Sequence, residues 1–404
     1  MHNILITNLY NIFQNRQRLS LYEAFFTSLV VGLAETYFVA FALYKGVSVI
    51  ESGLLVSLPL LFAGFTPFVF NKFFHKFYNS TWVQVAALVQ AVALASLAFV
   101  GLFKLGSAFY TLLVIYSLYW FGHFSSLPSW NKWISELIPL EDSQKYFSER
   151  TRIVQIGIIL GLIIGGTTLH LEVFKISTAL IFIILFLIAY HLKVIAFYLF
   201  YRLPKSHARY NLNISKKIEF FKRQRNFFKV YSLFNCSLYL SAPFVSGYLL
   251  NIRGLSYINY MFVMASIFAG KIATTFLLER FRPNTNPHKL FFIGGLIAAP
   301  LPMLWPFCPG PISMSLVHFV SGIGWAGWEM GLSLVIFKNI KSDEKLEAVS
   351  LYNSVGLPVQ VLGTVIGALL LKYVYNNNYT TMFVVAGILR FVFILPMNSK
   401  KFGA

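Results

Sequence analysis

Apolar residues dominate the chain in long runs that are separated by short polar gaps. Twelve runs approach or exceed about 20 residues, the length that a helix needs to cross a bilayer. They cover residues 20–44, 51–73, 81–103, 107–134, 152–171, 177–201, 228–251, 255–281, 288–308, 311–337, 348–373 and 379–397. The pattern therefore predicts an all-α polytopic membrane protein with 12 transmembrane helices.

One long polar segment interrupts this pattern in the middle of the chain. Nine Lys or Arg residues lie between Arg202 and Lys229, and the only acidic residue among them is Glu219. Because such a segment does not enter hydrocarbon, we expect it to join two membrane bundles and to contact anionic lipid headgroups. The predicted domains are an N-terminal six-helix bundle (1–201), a basic linker (202–227) and a C-terminal six-helix bundle (228–404).

The overall composition agrees with a membrane location. Hydrophobic residues make up 57% of the chain and charged residues 12%, too few to cover a soluble protein of this size. The net charge of +19 raises the question of nucleic-acid binding. The basic residues fall in the gaps between apolar runs, however, which is typical of membrane topology, so we expect no nucleic-acid partner.

The distribution of basic residues predicts the orientation. Of the 33 Lys and Arg residues, most lie on the side that carries both termini and the linker. Those on the opposite side are Lys45, Lys104, Lys175, Arg253 and Lys372. Since cytoplasmic loops are enriched in Lys and Arg, we expect both termini and the linker in the cytoplasm. The short loops indicate the inner (plasma) membrane as the location.

Signatures of cofactor and enzyme chemistry are missing from the sequence. Cys236 and Cys308 form no C-x-x-C pair and have no histidine nearby at a metal-ligand spacing. The sequence contains no phosphate-binding G-x-x-x-x-G-K-[ST] motif, no dinucleotide fingerprint in a suitable context and no nucleophile–base pair. We therefore expect no metal, no cofactor and no enzymatic activity.

The two halves of the sequence resemble each other at corresponding places. A polar or acidic residue precedes a base at the end of the second helix of each half, as Asn71-Lys72 and as Glu279-Arg280, 208 residues later. Lys76 continues the basic signature of the first loop. The fifth and eleventh runs share a glycine spacing, Gly157-x-x-x-Gly161 and Gly363-x-x-x-Gly367. These matches predict two pseudo-symmetric bundles.

Six plus six helices, a basic linker and the duplicated loop signatures resemble the major facilitator superfamily of secondary transporters. The chain departs from the family's first loop, since Asn71 replaces its aspartate and Pro67 and Phe74 replace its glycines. Leu162 replaces the proline of the antiporter motif in the fifth helix. The resemblance implies alternating access, with gating residues in the cytoplasmic loops: Asn71, Lys72, Lys76, Glu279, Arg280 and Arg150.

Few ionisable groups lie deep within the apolar runs. They are Glu35, His123, Lys271 and Glu329, and a charge at the bilayer centre costs about 2.5–3.5 kcal/mol on insertion scales. The resemblance implies that these four converge on one aqueous cavity at the midplane, where transporters bind substrates and coupling ions. Burial favours the neutral form of a carboxyl, so Glu35 is suited to load and release a proton.

The other candidate residues surround this predicted cavity. Trp325 and Glu329 are four residues apart and share a helix face. Lys271 neutralises a glutamate or binds an anionic group of a substrate. Asn235, Tyr37 and Trp120 are further candidates for the lining. Each candidate also has a structural reading: a hydrogen bond for Glu35, an ion pair for Lys271 and Glu329, packing for His123. Arg390 is expected to snorkel toward the cytoplasm in a structural role.

The sequence thus predicts a monomeric secondary active transporter of a small organic solute, coupled to protons and in contact with membrane lipids. Two alternatives stay open. One is a ligand sensor or scaffold that has the same fold but does not transport. The other is a transporter of lipids or amphiphiles, which the 42 phenylalanines would suit.

Overall fold

The computed structural model describes residues 2–69, 76–103, 107–139, 142–171, 176–207, 209, 213–281, 286–341 and 344–399. Its description leaves out side chains at 2–15, 65–69, 143–145, 148, 279–281, 337–339 and 345–346. The helices before the linker are α1 (His2–Leu33), α2 (Phe38–Tyr44), α3 (Val49–Val69), α4 (Asn79–Gly101), α5 (Ala108–Leu137), α6 (Ser143–His170) and α7 (Thr178–Arg202). The linker contains α8 (Ile214–Arg223).

The helices after the linker follow the same scheme. They are α9 (Arg225–Tyr239), α10 (Val245–Gly247), α11 (Tyr257–Phe281), α12 (Pro287–Ala298), α13 (Pro311–Asn339), α14 (Lys345–Leu369) and α15 (Tyr379–Ile394). Short 3-10 segments occur at Glu35–Tyr37, Ala242–Phe244, Leu301–Phe307 and Leu395–Asn398, and π segments at Tyr248–Ile252 and Leu370–Val374.

These helices identify a multi-pass membrane protein. In the described part of the chain, 10 helical stretches are long and apolar enough to cross a membrane, and Val49–Gly64 is a shorter apolar helix. Each of the twelve apolar runs overlaps a helix or an interrupted helix. The run at 107–134 coincides with α5, which is not one of the 10 stretches because of its more polar composition.

The first membrane helix of each half is interrupted two thirds of the way along. The backbone leaves the α-helical conformation at Ala34 and passes through a 3-10 turn at Glu35–Tyr37 before α2 begins. The corresponding turn after α9 is Ala242–Phe244, with a proline near its start. Such turns free backbone carbonyls, which need donors inside a membrane. The Tyr260 hydroxyl donates to the Thr36 carbonyl, and the Arg390 guanidinium donates to the Leu238 carbonyl.

Hydrophobic clusters show how the two halves meet. The largest lies at the end away from the linker and combines residues of both halves, such as Phe41 and Tyr260. A smaller cluster also joins the halves, where Leu60 of α3 meets Val361 of α14. Nearest the linker the clusters separate: one belongs to the first half around Trp133, and another to α8 and the second half. The halves therefore share a core at the far end and a smaller one between α3 and α14, and have distinct cores nearest the linker.

Glycines allow equivalent helices to pack closely in each half. A Cβ atom added at Gly161 of α6 would lie 2.5 Å from the Leu29 carbonyl oxygen of α1. One added at Gly367 of α14 would lie 2.2 Å from the Leu240 carbonyl oxygen, just after α9. Since both approaches are to backbone atoms, no side chain can move to make room. The repeated glycine spacing is thus used for the same helix contact twice.

The linker is attached to both halves of the molecule. At its start, Ser206 donates from its amide to Ser80 (3.0 Å) and from its hydroxyl to Glu136 (2.8 Å) in the first half. In α8, Lys217 is buried and donates to the hydroxyls of Ser350 and Ser354, each at 2.9 Å, in α14. The described parts of the linker therefore form a strap that is anchored to the first half at its start and to the second half through α8.

The buried amine of Lys217 gives this strap a dependence on pH. Burial lowers the pKa of Lys217 to about 7, with the Glu347 carboxylate acting in the opposite direction. The unfolded chain, with a lysine pKa near 10.4, binds more protons across the intervening pH range, so stability rises with pH there. We expect unfolding free energy to increase by at most about 1.4 kcal/mol per pH unit between about pH 7 and pH 10.

Thermal unfolding of the purified protein across this range tests the expectation, with Lys217→Met as the variant that removes the titrating amine. The unfolding free energy of the wild type, relative to that of Lys217→Met, should increase as the pH rises. Lys216→Met is the matched control, because Lys216 is the exposed neighbour on the same helix. A constant difference between wild type and Lys217→Met at every pH would refute the assignment.

Candidate functional site

Glu35 lies in the interruption of the first membrane helix, with Tyr119 as its partner. The Tyr119 hydroxyl of α5 donates to the Glu35 carboxylate at 2.8 Å. Tyr119 is buried, and its ring meets Phe38 edge to face at 5.2 Å, which fixes the position of the hydroxyl. The interruption thus presents a half-buried carboxyl to one oriented donor in the middle of the first half.

Lys193 of α7 is the positive charge that accompanies Glu35. It is 4% exposed and interacts electrostatically with both Glu23 and Glu35. His123 faces the same lysine and packs edge to face against Trp120 (5.7 Å) and Phe124 (4.9 Å). The first half therefore holds a group of ionisable side chains, Glu23, Glu35, His123 and Lys193, inside its helix bundle.

The choice of candidates from the sequence missed Lys193. Its position inside the run at 177–201 was the available signal, since a lysine 16 residues into an apolar run has a long way to reach water. The sequence could not show which face of α7 carries Lys193, because apolar residues lie on every face of that helix. The structure resolves this by burying Lys193 against α1.

Arg150 is held by several groups nearer the linker. It forms an ion pair with Glu23 (3.0 Å), donates to the Ser20 carbonyl (2.9 Å) and lies over the Trp130 ring (4.4 Å from the centroid). Glu23 also accepts a hydrogen bond from Thr27 (2.8 Å). Since all these partners belong to the first half, Arg150 ties α1, α5 and α6 together in this conformation.

The second half contains a cavity of about 470 Å³. Glu329 lines it and pairs with Lys271 of α11 at 2.7 Å between Oε1 and Nζ. The Glu329 side chain is 52% exposed and that of Lys271 is 14% exposed. Among the predicted residues, Trp325 and Asn235 also line this cavity. Glu329, Trp325 and Asn235 therefore line one cavity, and Lys271 is connected to it through its ion pair with Glu329.

Asn235 links two of the helices around this cavity. Its amide nitrogen donates to the Tyr231 carbonyl (3.0 Å), and its amide oxygen accepts from Gln360 of α14 (3.3 Å). Gln360 lines the cavity as well. The two amides form a polar bridge between α9 and α14, with hydrogen-bonding capacity left for a ligand.

Arg390 is buried instead of snorkelling toward the surface. It is 4% exposed, lines the cavity and donates from Nη2 to the Leu238 carbonyl (2.6 Å) and the Ser241 hydroxyl (2.7 Å). The interruption after α9 leaves these acceptors without helical donors, and they draw the guanidinium into the bundle. The expectation of a snorkelling arginine is wrong for this reason.

The other candidates are not among the residues that line the second-half cavity. Tyr37 is fully buried and donates to the Leu162 carbonyl of α6 (2.9 Å), so it packs between helices. Trp120 packs where α3 and α14 meet, beside Leu60 and Val361. Of the gating candidates, Lys76 is exposed. Asn71 and Lys72, and the side chains of Glu279 and Arg280, lie outside the described part.

The ionisable candidates thus form two groups, one in each half. Glu35 and His123 accompany Lys193 in the first half, whereas Lys271 and Glu329 lie at the cavity of the second half. Among the described residues that line this cavity, Val56 of α3 is the contribution from the first half. The four residues therefore do not converge on one cavity in this conformation, because Lys193 accompanies Glu35 and His123 within the first half, whereas Lys271 pairs with Glu329 in the second half.

Comparisons with known proteins agree on one fold. The family model described as "Major Facilitator Superfamily" matches residues 24–357. Comparison with curated protein sequences gives no significant match. The solved structures that are similar include the nucleoside transporter NupG, with a TM-score of 0.65, 13% identity and coverage of 95% of this chain and 99% of that chain.

Two proton symporters are similar to the same degree. The E. coli fucose:proton symporter FucP aligns with a TM-score of 0.63 and 15% identity, covering 96% of this chain and 99% of that chain. A D-xylose-proton symporter aligns with a TM-score of 0.66 and 13% identity, covering 97% and 99%. At these identities, the similarity establishes the fold alone.

Proposed function

The chain belongs to the major facilitator superfamily and is a transporter rather than an enzyme, and we propose that it moves a small organic solute by proton-coupled alternating access. We infer twelve membrane spans in two six-helix halves (1–201 and 228–404), with both termini and the linker in the cytoplasm. The inner membrane is the proposed location, and the monomer is the proposed functional unit.

The observation that carries this proposal is the unequal packing of the two halves. They share a large hydrophobic core at the end away from the linker and a small cluster between α3 and α14, and they have separate cores nearest the linker. A transporter that rocks between two states closes one end while the other is open. The packing fits the state that is closed at the far end and accessible from the cytoplasm.

Tyr260 supports the same reading at the closed end. Its hydroxyl donates to the Thr36 carbonyl in the first half (2.9 Å) and lies 3.0 Å from the Ser246 hydroxyl in the second half. Thr36 belongs to the interruption after α1, and Ser246 follows the one after α9. One side chain thus connects both interrupted helices across the closed end, and opening that end must break the connection.

The proposed proton carrier is Glu35. Its carboxylate accepts a hydrogen bond from Tyr119 and interacts electrostatically with the buried Lys193. Protonation removes the negative charge that Lys193 faces, so the first half packs differently with and without the proton. A difference of this kind is what couples an ion to a conformational equilibrium.

The proposed solute site is the cavity lined by Glu329, Trp325 and Asn235. Its volume of about 470 Å³ lies within the 300–1,000 Å³ typical of small-molecule pockets. It combines aromatic walls with a few polar groups, as such pockets generally do. Coupling then requires that the proton in the first half and the solute in the second half favour the same conformations.

Purified protein in sealed vesicles tests the function. A thermal-unfolding screen against metabolites first selects a stabilising solute, and its uptake is then measured with and without a protonophore. Accumulation that collapses with the protonophore is the expected result. Binding without flux would identify a sensor or scaffold, and movement of labelled lipid in place of solute would identify a lipid transporter. Either outcome would reject the proposed function.

A further inference from the structure

Part of the lining of the second-half cavity has a chemistry that the proposed function does not use. We call this part the inner end and define it by Trp305, His318, Phe383 and Arg390, which come from the 3-10 segment Leu301–Phe307, α13 and α15. These four residues line the same cavity as Glu329.

Arg390 brings a positive charge to the inner end without a carboxylate partner. Within the described part of the chain, its hydrogen-bond acceptors are the carbonyls of Ser237 and Leu238 and the hydroxyl of Ser241. The carboxylate that lines the same cavity, Glu329, is already paired with Lys271. Because a buried charge is stabilised most by an opposite charge, the inner end favours an anion.

His318 adds an unused hydrogen-bonding group to the lining of the same cavity. It is 5% exposed, and in the described part of the chain neither of its ring nitrogens has a hydrogen-bond partner. A buried polar group without a partner costs about 1–3 kcal/mol, which a ligand can recover by bonding to it. The ring is held against Trp305, with 4.2 Å between centroids, so the unpaired nitrogens have a fixed direction.

The remaining walls are aromatic. The ring centroids of Trp305 and Phe383 are 6.0 Å apart, with the ring planes 28° apart, and Trp325 lines the same cavity. Flat rings of this kind accept a planar apolar body by stacking. A ligand that contacts both the polar groups and the aromatic walls therefore has one anionic end and one aromatic end.

We propose that the inner end binds the carboxylate of a small aromatic organic acid, with Arg390 and His318 holding the anionic group and Trp305 and Trp325 stacking on the ring. This inference rests on the proposed function, because it takes the cavity as the solute site and assigns the solute class. The cavity of about 470 Å³ accommodates an acid with one or two fused rings.

A purely structural role for Arg390 makes a different prediction. The guanidinium donates to the last carbonyls of α9, and a cation there stabilises the end of a helix without any ligand. In that case anions and neutral analogues bind equally well or equally poorly. The comparison of charged and neutral ligands therefore separates the two roles.

The test measures binding to the purified full-length protein in detergent, by calorimetry and by thermal unfolding. The probes are benzoate, cinnamate and indole acetate, each compared with its own carboxamide. We expect at least one acid to bind about tenfold or more tightly than its amide, the preference that one charge-assisted hydrogen bond provides. Equal binding within every pair, or binding of none of the acids, would overturn the proposal.

Variants identify the residues responsible. His318→Phe keeps the stacked ring but removes the nitrogens, and it should lower acid affinity about tenfold and the affinity for the carboxamide, a weaker acceptor, by less. Arg390→Lys keeps the charge and should retain part of the preference. If Arg390→Lys does not fold, the acid and amide affinities of His318→Phe still test the proposal. His191→Phe is the matched control, because His191 is exposed and bonds the Leu187 carbonyl within its own helix.

The inference and the proposed function can fail separately. Binding in detergent needs no gradient, so an acid that binds but is not accumulated in vesicles would reject transport and keep the site. A solute that is accumulated with the proton gradient, but is not displaced by any of the acids, would keep transport and reject the assigned class.

Discussion

Replacing Glu35 by Gln is expected to lower gradient-driven solute accumulation by roughly 5- to 150-fold, the range of typical coupling free energies between two sites. Glutamine has nearly the size of glutamate and still accepts the hydrogen bond from Tyr119, which lies 2.8 Å from the carboxylate. It cannot bind and release a proton. The variant should therefore remain folded and lose the link between the proton gradient and the solute.

Two transport assays separate coupling from movement. Accumulation against a gradient depends on the proton, whereas exchange of labelled for unlabelled solute across the vesicle needs only the conformational change of the loaded protein. Glu35→Gln should fail in the first assay and retain the second. Glu51→Gln is the control, because Glu51 is an exposed carboxyl that bonds Ser48 at the start of α3. Full solute accumulation by the Glu35→Gln variant would show that Glu35 is not the proton carrier.

Breaking the Lys271–Glu329 ion pair is expected to have unequal effects from its two sides. The lysine is 14% exposed and the glutamate 52%, so Glu329→Gln leaves a largely buried positive charge without its partner. An unpaired charge at membrane depth costs about 2.5–3.5 kcal/mol on insertion scales. Lys271→Met leaves a carboxylate that faces the cavity, where water can solvate it. Glu329→Gln should therefore destabilise the protein more than Lys271→Met.

Thermal unfolding of both single variants and the double variant forms a double-mutant cycle. We expect the double variant to be more stable than Glu329→Gln alone, because it removes the stranded lysine together with its partner. The matched control is the Arg223–Glu344 pair outside the membrane, at 2.7 Å with side-chain exposures of 46% and 22%. Its coupling should be about 0.2–1 kcal/mol. Equal effects of the single variants, with simple additivity, would contradict the account.

The sequence was informative where the membrane imposes a simple rule. Apolar length located the helices, because a span must cover the hydrocarbon with internally bonded backbone. The repeated glycine spacing at Gly161 and Gly367 marked two places where helices approach closely, since close helix approach requires small residues. The ion pair between Lys271 and Glu329 is the structural alternative that the sequence left open for these residues, since either charge alone is costly in a membrane.

The orientation of side chains around each helix could not be predicted in the same way. A membrane helix is apolar on its lipid face and on its core face, so hydropathy does not show which way Lys193, Tyr37 or Arg390 points. Lys193 and Arg390 are each 4% exposed in the bundles, and Tyr37 is fully buried. The interruption at Glu35–Tyr37 was equally hidden, because no proline marks it and the glycine just before it, Gly32, serves a close contact with α6. Contacts between distant helices determine all of these features.

The most direct test of the account is the movement of protons when solute is added to vesicles that contain the purified protein. A pH indicator outside the vesicles reports whether protons cross with the solute. The account predicts a pH change that requires both the solute and wild-type Glu35, and that disappears when a protonophore is present. Solute flux with no proton movement, or an unchanged signal in Glu35→Gln, would contradict proton coupling through the first half.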